Sequence, residues 1–149
     1  MIKNLLLLLF FVSSVLMAEP TIEILVSAEE IRNQNPDDFF VDGKVDAYIN
    51  DDQLIDRLEY SYTANTPPVA CGFDSQCAEY NAQFMNKPTM TFEIIINDAQ
   101  RIDVSYFCDA IGIIKSSYTE GMPDLFCGPS YKLKWNGSEY LLVEDEKIE

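Results

Sequence analysis

The stretch TMTFEIIINDAQRIDVSYFC, from Thr89 to Cys108, predicts two antiparallel strands joined by a tight turn. Apolar and polar side chains alternate on both sides of a central Asn-Asp-Ala-Gln tetrad, and this period of two is typical of half-buried strands. Asn and Asp tolerate the backbone dihedrals of turns and hydrogen-bond to their own backbone. We therefore expect strands at 89–96 and 101–108 around one β-hairpin turn.

A closely similar phrase occurs earlier in the chain. YINDDQLID, from Tyr48 to Asp56, shares Ile-Asn-Asp, Gln and Ile-Asp at matching positions with IINDAQRID, from Ile95 to Asp103. Apolar and polar residues also alternate on both sides of the earlier copy. The alternation shifts by one residue after Ile55, which predicts a bulge near Asp56–Arg57. The two phrases are therefore predicted to be two copies of one hairpin turn. Duplication of a half-domain and convergence on the same turn chemistry both account for the match.

Further turn and helix signals complete the predicted fold. Asp42-Gly43 and Asn136-Gly137 predict two more hairpin turns, while Ser27 and Glu30 suit the start of a short helix that ends before Pro36. The other predicted elements are a strand at 21–26, a meander at 38–41, 44–49 and 54–63, a helix at Asp74–Met85, and strands at 111–119, 130–136 and 139–144. The predicted fold class is α+β and predominantly antiparallel β. It is a hairpin-rich sheet, or a small sandwich or barrel, with one or two short helices and disulfide staples.

Residues 1–18, MIKNLLLLLFFVSSVLMA, have the layout of a secretory signal peptide. Lys3 supplies a positive charge, Leu5–Val12 is an unbroken apolar core, and Ala18 is a small residue at the cleavage position. An uncleaved N-terminal anchor is the alternative. We predict a periplasmic or secreted protein with a signal peptide at 1–18 and a single β-rich domain at 19–149 that ends in a frayed acidic tail. No stable membrane insertion is expected after cleavage.

The four cysteines predict two disulfides, because an even count in an exported chain is typical of a disulfide framework. They are Cys71, Cys77, Cys108 and Cys127. Three pairings are open, and the spacing favours Cys71–Cys77 with Cys108–Cys127. A zinc site is the alternative, but the chain has no histidine, and neither pair has the short spacing of a metal knuckle. We expect no metal and no cofactor.

The chain is strongly acidic, with 25 Asp and Glu residues against 10 Lys and Arg residues and a formal net charge of -15. Loss of Lys3 with the signal peptide makes the mature chain one unit more negative. Such a field repels nucleic acid and anionic lipid, and it accelerates encounter with cationic surfaces. Acidity of this kind also serves solubility alone. The charge therefore favours a basic protein partner over nucleic acid and gives no indication of an oligomeric state.

Candidate catalytic groups are few. The lack of histidine removes the commonest general base and every Ser-His or Cys-His arrangement. Glycoside hydrolysis needs two carboxylates at a set separation. The candidates that the sequence singles out are the repeated aspartates, Asp51 with Asp98 and Asp56 with Asp103. Their predicted places, on turns and outward strand positions, favour turn formation and solvation over catalysis.

Three functions remain as hypotheses. The first is an acidic, non-enzymatic binding protein, an inhibitor or immunity-type protein that docks a basic protein such as a cell-wall hydrolase. Its predicted binding face consists of Asp37, Asp38, Asp42, Asp46, Asp51, Asp52 and Asp56. The second is a periplasmic carrier of a small ligand, or an accessory subunit of an envelope assembly, which predicts an apolar pocket or an unpaired edge strand. The third is a carboxylate-dependent hydrolase, which predicts a sheltered Asp or Glu in a cleft.

Overall fold

The computed structural model describes residues 21–64, 70–85, 87 and 89–148. The predicted signal peptide at 1–18 lies outside the described residues. In chain order the elements are β1 (Ile22–Ser27), α1 (Ala28–Gln34), β2 (Phe40–Ala47), β3 (Asp56–Thr63), α2 (Ser75–Met85), β4 (Met90–Ile96), β5 (Gln100–Cys108), β6 (Ala110–Thr119), β7 (Met122–Cys127), β8 (Tyr131–Trp135) and β9 (Tyr140–Lys147). The predicted α+β class is confirmed, because antiparallel strands dominate these ranges beside two short helices and two disulfides.

The strands form two antiparallel sheets that share one core. The order in the five-stranded sheet is β1-β6-β7-β8-β9, and the order in the four-stranded sheet is β2-β3-β4-β5. Buried side chains from both sheets form a single cluster. Leu58, Ile94 and Val104 come from the four-stranded sheet, and Leu125 and Leu133 come from the five-stranded sheet. The two sheets therefore face each other across a core of mainly aliphatic side chains, whose burial stabilises the fold.

The hairpin predicted between Thr89 and Cys108 is confirmed. β4 and β5 pair around a short turn at 97–99, and their alternate apolar residues are buried as the pattern requires. Asn97 and Asp98 have φ angles of 52° and 55°. These are left-handed values that Asn and Asp adopt more readily than other non-glycine residues.

The first copy of the repeated phrase also joins two paired strands, but by a longer connection. β2 ends at Ala47 and β3 begins at Asp56, so residues 48–55 form a loop where the second copy forms a tight turn. The prediction of two equivalent turns is therefore wrong. The predicted bulge near Asp56–Arg57 is also wrong, since β3 pairs in regular register from Asp56 onward. The sequence pattern slips because Ile55 is exposed and Asp56 is buried.

The turn predicted at Asp42-Gly43 is wrong, because β2 runs without a break from Phe40 to Ala47. Gly43 lies opposite Tyr60 of β3, and a Cβ atom at this position would overlap the tyrosine ring. The glycine leaves room for a side chain that crosses it from the neighbouring strand. The dipeptide thus has a packing role, and the predicted three-stranded meander is a pair of longer strands.

The turn predicted at Asn136-Gly137 is confirmed between β8 and β9. Asn136 Oδ1 accepts hydrogen bonds from the backbone amides of Ser138 and Glu139, both at 2.9 Å. Gly137 has a φ of 99°, which a residue with a side chain rarely adopts.

Both predicted helices are confirmed, and each begins at a side-chain cap. The Ser27 hydroxyl accepts a hydrogen bond from the backbone amide of Glu30 at 3.2 Å, as an N-cap residue does. Asp74 caps the start of α2 in the same way, because its carboxylate accepts hydrogen bonds from two backbone amides of the first turn. Of the helices described, neither has the length and apolar character that crossing a membrane requires.

The favoured disulfide pairing is confirmed. Cys71 is bonded to Cys77 at 2.08 Å, and Cys108 is bonded to Cys127 at 2.00 Å. Cys108 ends β5 and Cys127 ends β7, so this bond joins the two sheets, and both of its residues are buried. The layers are therefore linked covalently at one end of the core.

The acidic C-terminal tail is paired rather than frayed. β9 continues to Lys147, which lies opposite Tyr131. The backbone amide of Ile148 donates a hydrogen bond to the carbonyl of Ser130 at 2.9 Å. The prediction of a frayed tail is therefore wrong for the part of the tail that the structure describes.

Candidate functional site

Four chain connections lie together at one end of the two sheets. They are 48–55 between β2 and β3, 97–99 between β4 and β5, 120–121 between β6 and β7, and 136–139 between β8 and β9. Antiparallel pairing brings them together, because alternate connections return to the same end of a sheet. The backbone amide of Asp51 donates a hydrogen bond to the carbonyl of Gly121 at 3.1 Å, which ties one sheet's connection to the other's. We call these four connections the acidic tip.

The acidic tip contains acidic side chains and, within its four connections, no Lys or Arg. Its acids are Asp51, Asp52, Asp98, Glu120 and Glu139. Arg57 of β3 approaches Asp98 at 3.7 Å and also pairs with Asp46 at 3.3 Å. Both ion pairs are solvent-exposed and therefore weak. Arg57 thus offsets part of the negative charge at one edge of the tip.

Asp56 joins the two copies of the repeated phrase from the inside. Its side chain is buried, and its two oxygens accept the backbone amides of Asn50 at 3.3 Å and Asn97 at 3.1 Å. Asn50 and Asn97 are the matching asparagines of the two copies. The prediction that Asp56 belongs to an exposed acidic face is therefore wrong. Buried polar groups need hydrogen-bond partners, and the Asp56 carboxylate finds them in the backbone amides of both loops.

Asp52 fixes the 48–55 loop from the outside. Its carboxylate accepts hydrogen bonds from the side-chain amides of Asn97 at 2.9 Å and Asn50 at 3.0 Å, and from the backbone amide of Leu54 at 2.8 Å. These bonds, the one from Asn97 foremost, hold the pKa of Asp52 below its ordinary value. The loop is therefore ordered by two carboxylates, Asp52 on its outer side and Asp56 on its inner side.

The acidic tip also exposes large apolar side chains. Leu54 is 56% exposed, Ile55 is 61% exposed and Tyr48 is 63% exposed. Tyr48 lines a groove of about 600 Å³ together with Asp51 and with Tyr118, an exposed residue of β6. Apolar groups that an ordered loop holds in solvent next to charged groups are typical of a binding surface.

The structure does not bring the seven predicted aspartates to one face. Asp51 and Asp52 follow β2, whereas Asp37 and Asp38 precede it. The two pairs therefore lie at opposite ends of an eight-residue strand, which is about 26 Å long. Of the seven, only Asp51 and Asp52 are part of the acidic tip.

Asp42 and Asp46 lie on the outer face of the four-stranded sheet, where basic residues lie among the acids. Arg57 pairs with Asp46 at 3.3 Å, and Arg101 pairs with Glu93 at 2.5 Å. The hydrogen bond from Arg101 lowers the pKa of Glu93 and raises the pKa of Arg101 itself. This face is mixed in charge, unlike the acidic face that the sequence predicts.

The repeated aspartates show no arrangement that favours a carboxylate pair. Asp56 is buried at the start of β3, and Asp103 is exposed on β5, where its carboxylate accepts a hydrogen bond from Ser105 Oγ at 3.1 Å. Asp51 and Asp98 are both exposed on neighbouring connections of the acidic tip. Among the residues with described positions, no group of three or more His, Cys, Asp or Glu is arranged to hold a metal ion.

A second candidate site lies at the opposite end of the molecule from the acidic tip. It is a groove of about 810 Å³ bounded by α1, by the chain leading into β2 and by the connections near 109–110 and 128–129, and we call it the helix-end groove. Its apolar and aromatic lining includes Ala28, Phe39, Tyr62, Phe126 and Pro129. Its charged lining residues are Glu29, Arg32, Asp37, Asp38, Lys87 and Asp109. This volume lies in the range of small-molecule sites.

Asp109 is the carboxylate of the helix-end groove whose pKa is perturbed. Burial raises its pKa, and the charge of Arg32 opposes part of that shift. The Asp109 backbone bridges the layers, since its amide donates to the Gly128 carbonyl at 3.1 Å and its carbonyl accepts the Ala28 amide at 2.7 Å. Asp109 is not among the site residues that the sequence predicts. Its one signal is its position directly after Cys108, where a disulfide-bonded strand ends.

Asp124 of β7 is the most buried acid among the described residues, and its contacts are with neighbouring strands of its own sheet. Its carboxylate accepts a hydrogen bond from Ser117 Oγ at 2.6 Å and pairs with Lys132 Nζ at 3.1 Å. Burial and then the charge of Asp124 raise the pKa of Tyr140, whose hydroxyl donates to the carbonyl of Pro123 at 3.0 Å. Asp124 lines neither the helix-end groove nor the groove beside Tyr48.

Comparison of the chain with protein-family models, with curated proteins and with solved structures finds no match. The class that the structure itself defines is a disulfide-bonded protein of two antiparallel sheets. Function is therefore inferred from the acidic tip and the helix-end groove.

Proposed function

We propose that the protein is an exported, acidic binding protein that docks a basic protein partner through the acidic tip. The observation that carries the proposal is the ordered 48–55 loop, where exposed Tyr48, Leu54 and Ile55 stand beside the carboxylates of Asp51 and Asp52. An inhibitor or immunity-type protein that acts on a cationic hydrolase fits this chemistry. The proposed role is binding rather than catalysis.

In this proposal the charge of the tip raises the rate of encounter, and its apolar surface contributes to the binding free energy. The tip carboxylates attract Lys and Arg side chains over a long range and so accelerate encounter. Leu54 and Ile55 are each little more than half exposed, and burying the rest of their apolar area on contact contributes about 1–2 kcal/mol for each side chain. Because Asp52 and Asp56 already order the loop, little conformational entropy is lost when it binds.

Export to the periplasm or the exterior is supported by two features of the chain. The two disulfides are compatible with an oxidising compartment. Residues 1–18 have the layout of a signal peptide that is cleaved after Ala18. We expect N-terminal sequencing of the exported protein to begin at Glu19. A mature protein that retains residues 1–18 would contradict the cleavage, and a purely cytoplasmic protein would contradict export.

The docking proposal is tested with matched charge variants. The tip variant carries Asp51→Asn, Asp98→Asn and Glu120→Gln, and the control variant carries Asp42→Asn, Glu79→Gln and Asp103→Asn. Both lose three exposed carboxylates, so they have the same net charge and differ only in where that charge is lost. Surface plasmon resonance against a panel of cationic cell-wall hydrolases measures association. We expect the tip variant to associate more slowly than the control, and equal rates would contradict docking at the tip.

The helix-end groove favours a second function, the binding of a small ligand. The volume of about 810 Å³ and the aromatic lining agree with what the carrier hypothesis expects. Saturable binding of a small aromatic probe at the groove tests this function.

A further inference from the structure

The helix-end groove carries an inference that rests on the second candidate function and is independent of docking at the acidic tip. We propose that this groove binds a small organic cation, an ammonium group on an apolar or aromatic body, with the Asp109 carboxylate as its counter-ion. Three features of the groove support this proposal: the free carboxylate of Asp109, the aromatic side chains that line the same groove, and the excess of acids over bases around it.

The carboxylate of Asp109 is available to a ligand. The residue is half-buried where it lines the groove, and no hydrogen bond or ion pair joins its carboxylate to another described residue. A carboxylate that has lost part of its hydration gains most from a partner that brings both opposite charge and hydrogen-bond donors. Because Ala28 and Gly128 hold its backbone from two sides, the position of Asp109 is fixed before a ligand arrives.

The aromatic lining suits the body of such a ligand. Phe39, Tyr62 and Phe126 line the same groove as Asp109. Phe39 is 57% exposed and Tyr62 is 4% exposed, so the lining extends from the surface to the core. Aromatic faces attract ammonium groups as well as apolar ones, because the face of the ring carries negative partial charge.

The charge around the groove favours a cation over an anion. Four acids line it, Glu29, Asp37, Asp38 and Asp109, against two bases, Arg32 and Lys87. An anion bound by Arg32 would meet this excess of carboxylates and would lie close to Asp109, whose charge Arg32 already offsets in part. The anion is therefore the competing occupant that the experiment has to distinguish.

Three probes with one aromatic body separate charge from shape. Phenethylammonium is a cation, phenylacetate is an anion, and phenethyl alcohol is neutral. Each is titrated into the folded, disulfide-bonded protein while amide chemical shifts are followed by NMR. A ligand of this size is expected to bind with a Kd of about 1 mM. We expect saturable shifts at groove residues, and an affinity for phenethylammonium about tenfold higher than for the other two probes.

Variants at Asp109 assign the counter-ion. Asp109→Asn removes the charge and is expected to weaken phenethylammonium binding about tenfold, whereas Asp109→Glu keeps the charge and most of the affinity. Asp103→Asn removes an exposed carboxylate of β5 outside the groove and should leave binding unchanged. The variant spectra also show directly that each protein is folded.

Each other outcome overturns the inference in a recognisable way. Stronger binding of phenylacetate makes Arg32 the recognition group. Equal binding of all three probes leaves a small-ligand site without cation selectivity. Unchanged affinity in Asp109→Asn would show that Asp109 is not the counter-ion. Absence of saturable shifts for every probe up to about 10 mM would contradict the carrier function as well.

Discussion

Asp56 accepts the backbone amide of Asn97, which lies 41 residues further along the chain, at 3.1 Å. The other oxygen of the same carboxylate accepts the backbone amide of Asn50 at 3.3 Å. The repeated phrase thus has a structural meaning, since each copy supplies one amide to a single buried acceptor. The residue that matches Asp56 in the second copy, Asp103, is exposed and has no equivalent part.

Replacement of Asp56 by Asn tests this link between the two loops. An Asn side chain has only one acceptor oxygen, so one of the two amides loses its partner and the charge assistance is lost. We expect the free energy of unfolding to fall by about 1–3 kcal/mol, measured by urea denaturation. The matched control is Asp103→Asn, which removes the exposed aspartate of the second copy and should change stability by less than about 0.5 kcal/mol. Equal effects of the two substitutions would contradict the assignment.

Addition of a methyl group at Gly43 tests the packing of Tyr60 across β2. Alanine is normally better than glycine in a strand, but here its Cβ would overlap the tyrosine ring. We expect Gly43→Ala to destabilise the protein by about 1–3 kcal/mol. In a Tyr60→Ala background the overlap disappears, so the same substitution should be neutral or stabilising. A double-mutant cycle with no coupling between the two positions would count against this contact.

The two disulfides are expected to contribute unequally to stability. Cys108–Cys127 closes a loop with a sequence separation of 19, and Cys71–Cys77 closes one with a separation of 6. In the chain-entropy model the longer loop is worth about 3 kcal/mol and the shorter about 2 kcal/mol. The double Ala variant of each pair, compared by thermal and urea unfolding, measures the difference. A larger loss from the Cys71–Cys77 pair would show that strain or packing outweighs loop entropy.

The lowered pKa of Asp52 predicts how stability responds to acid. Its pKa in the folded protein lies below the unfolded value of 3.8, so the folded state binds fewer protons than the unfolded state. Its contribution to stability is therefore present above about pH 4 and is lost as the pH falls through the folded pKa. Urea midpoints between about pH 7 and pH 2 measure this loss, and we expect a shallower fall in Asp52→Asn. An unchanged slope in the variant would mean that the hydrogen bonds from Asn97 and Leu54 do not act in solution.

The local parts of this fold were predictable, because their signals lie within a few residues. The alternation around Asn97 and Asp98 fixes the β4–β5 hairpin, and Ser27 marks the start of α1. The turn prediction at Gly43 failed because the glycine is there to make room for the ring of Tyr60, which lies on another strand. β7 was missed because most of its six residues are buried whichever way they point, which leaves no period of two to detect.

The candidate sites were only partly predictable, because both depend on distant contacts. The sequence shows that Asp51, Asp52 and Asp56 are acidic, but burial of Asp56 requires the amide of Asn97 from another hairpin. The acidic tip assembles from four connections that the chain separates widely, and only the strand pairing brings them together. Asp109 became a candidate only once the groove beside it was known.

The salt dependence of association tests the central claim most directly, namely that the acidic tip docks a basic partner. Association rates of the wild-type protein and of the tip variant with one cationic hydrolase are measured between about 0.02 M and 0.5 M ionic strength. For the wild-type protein we expect a rate that falls at least about tenfold across this range, and for the tip variant a distinctly shallower fall. A wild-type rate that is independent of salt, or an equal slope in the two proteins, would contradict the account.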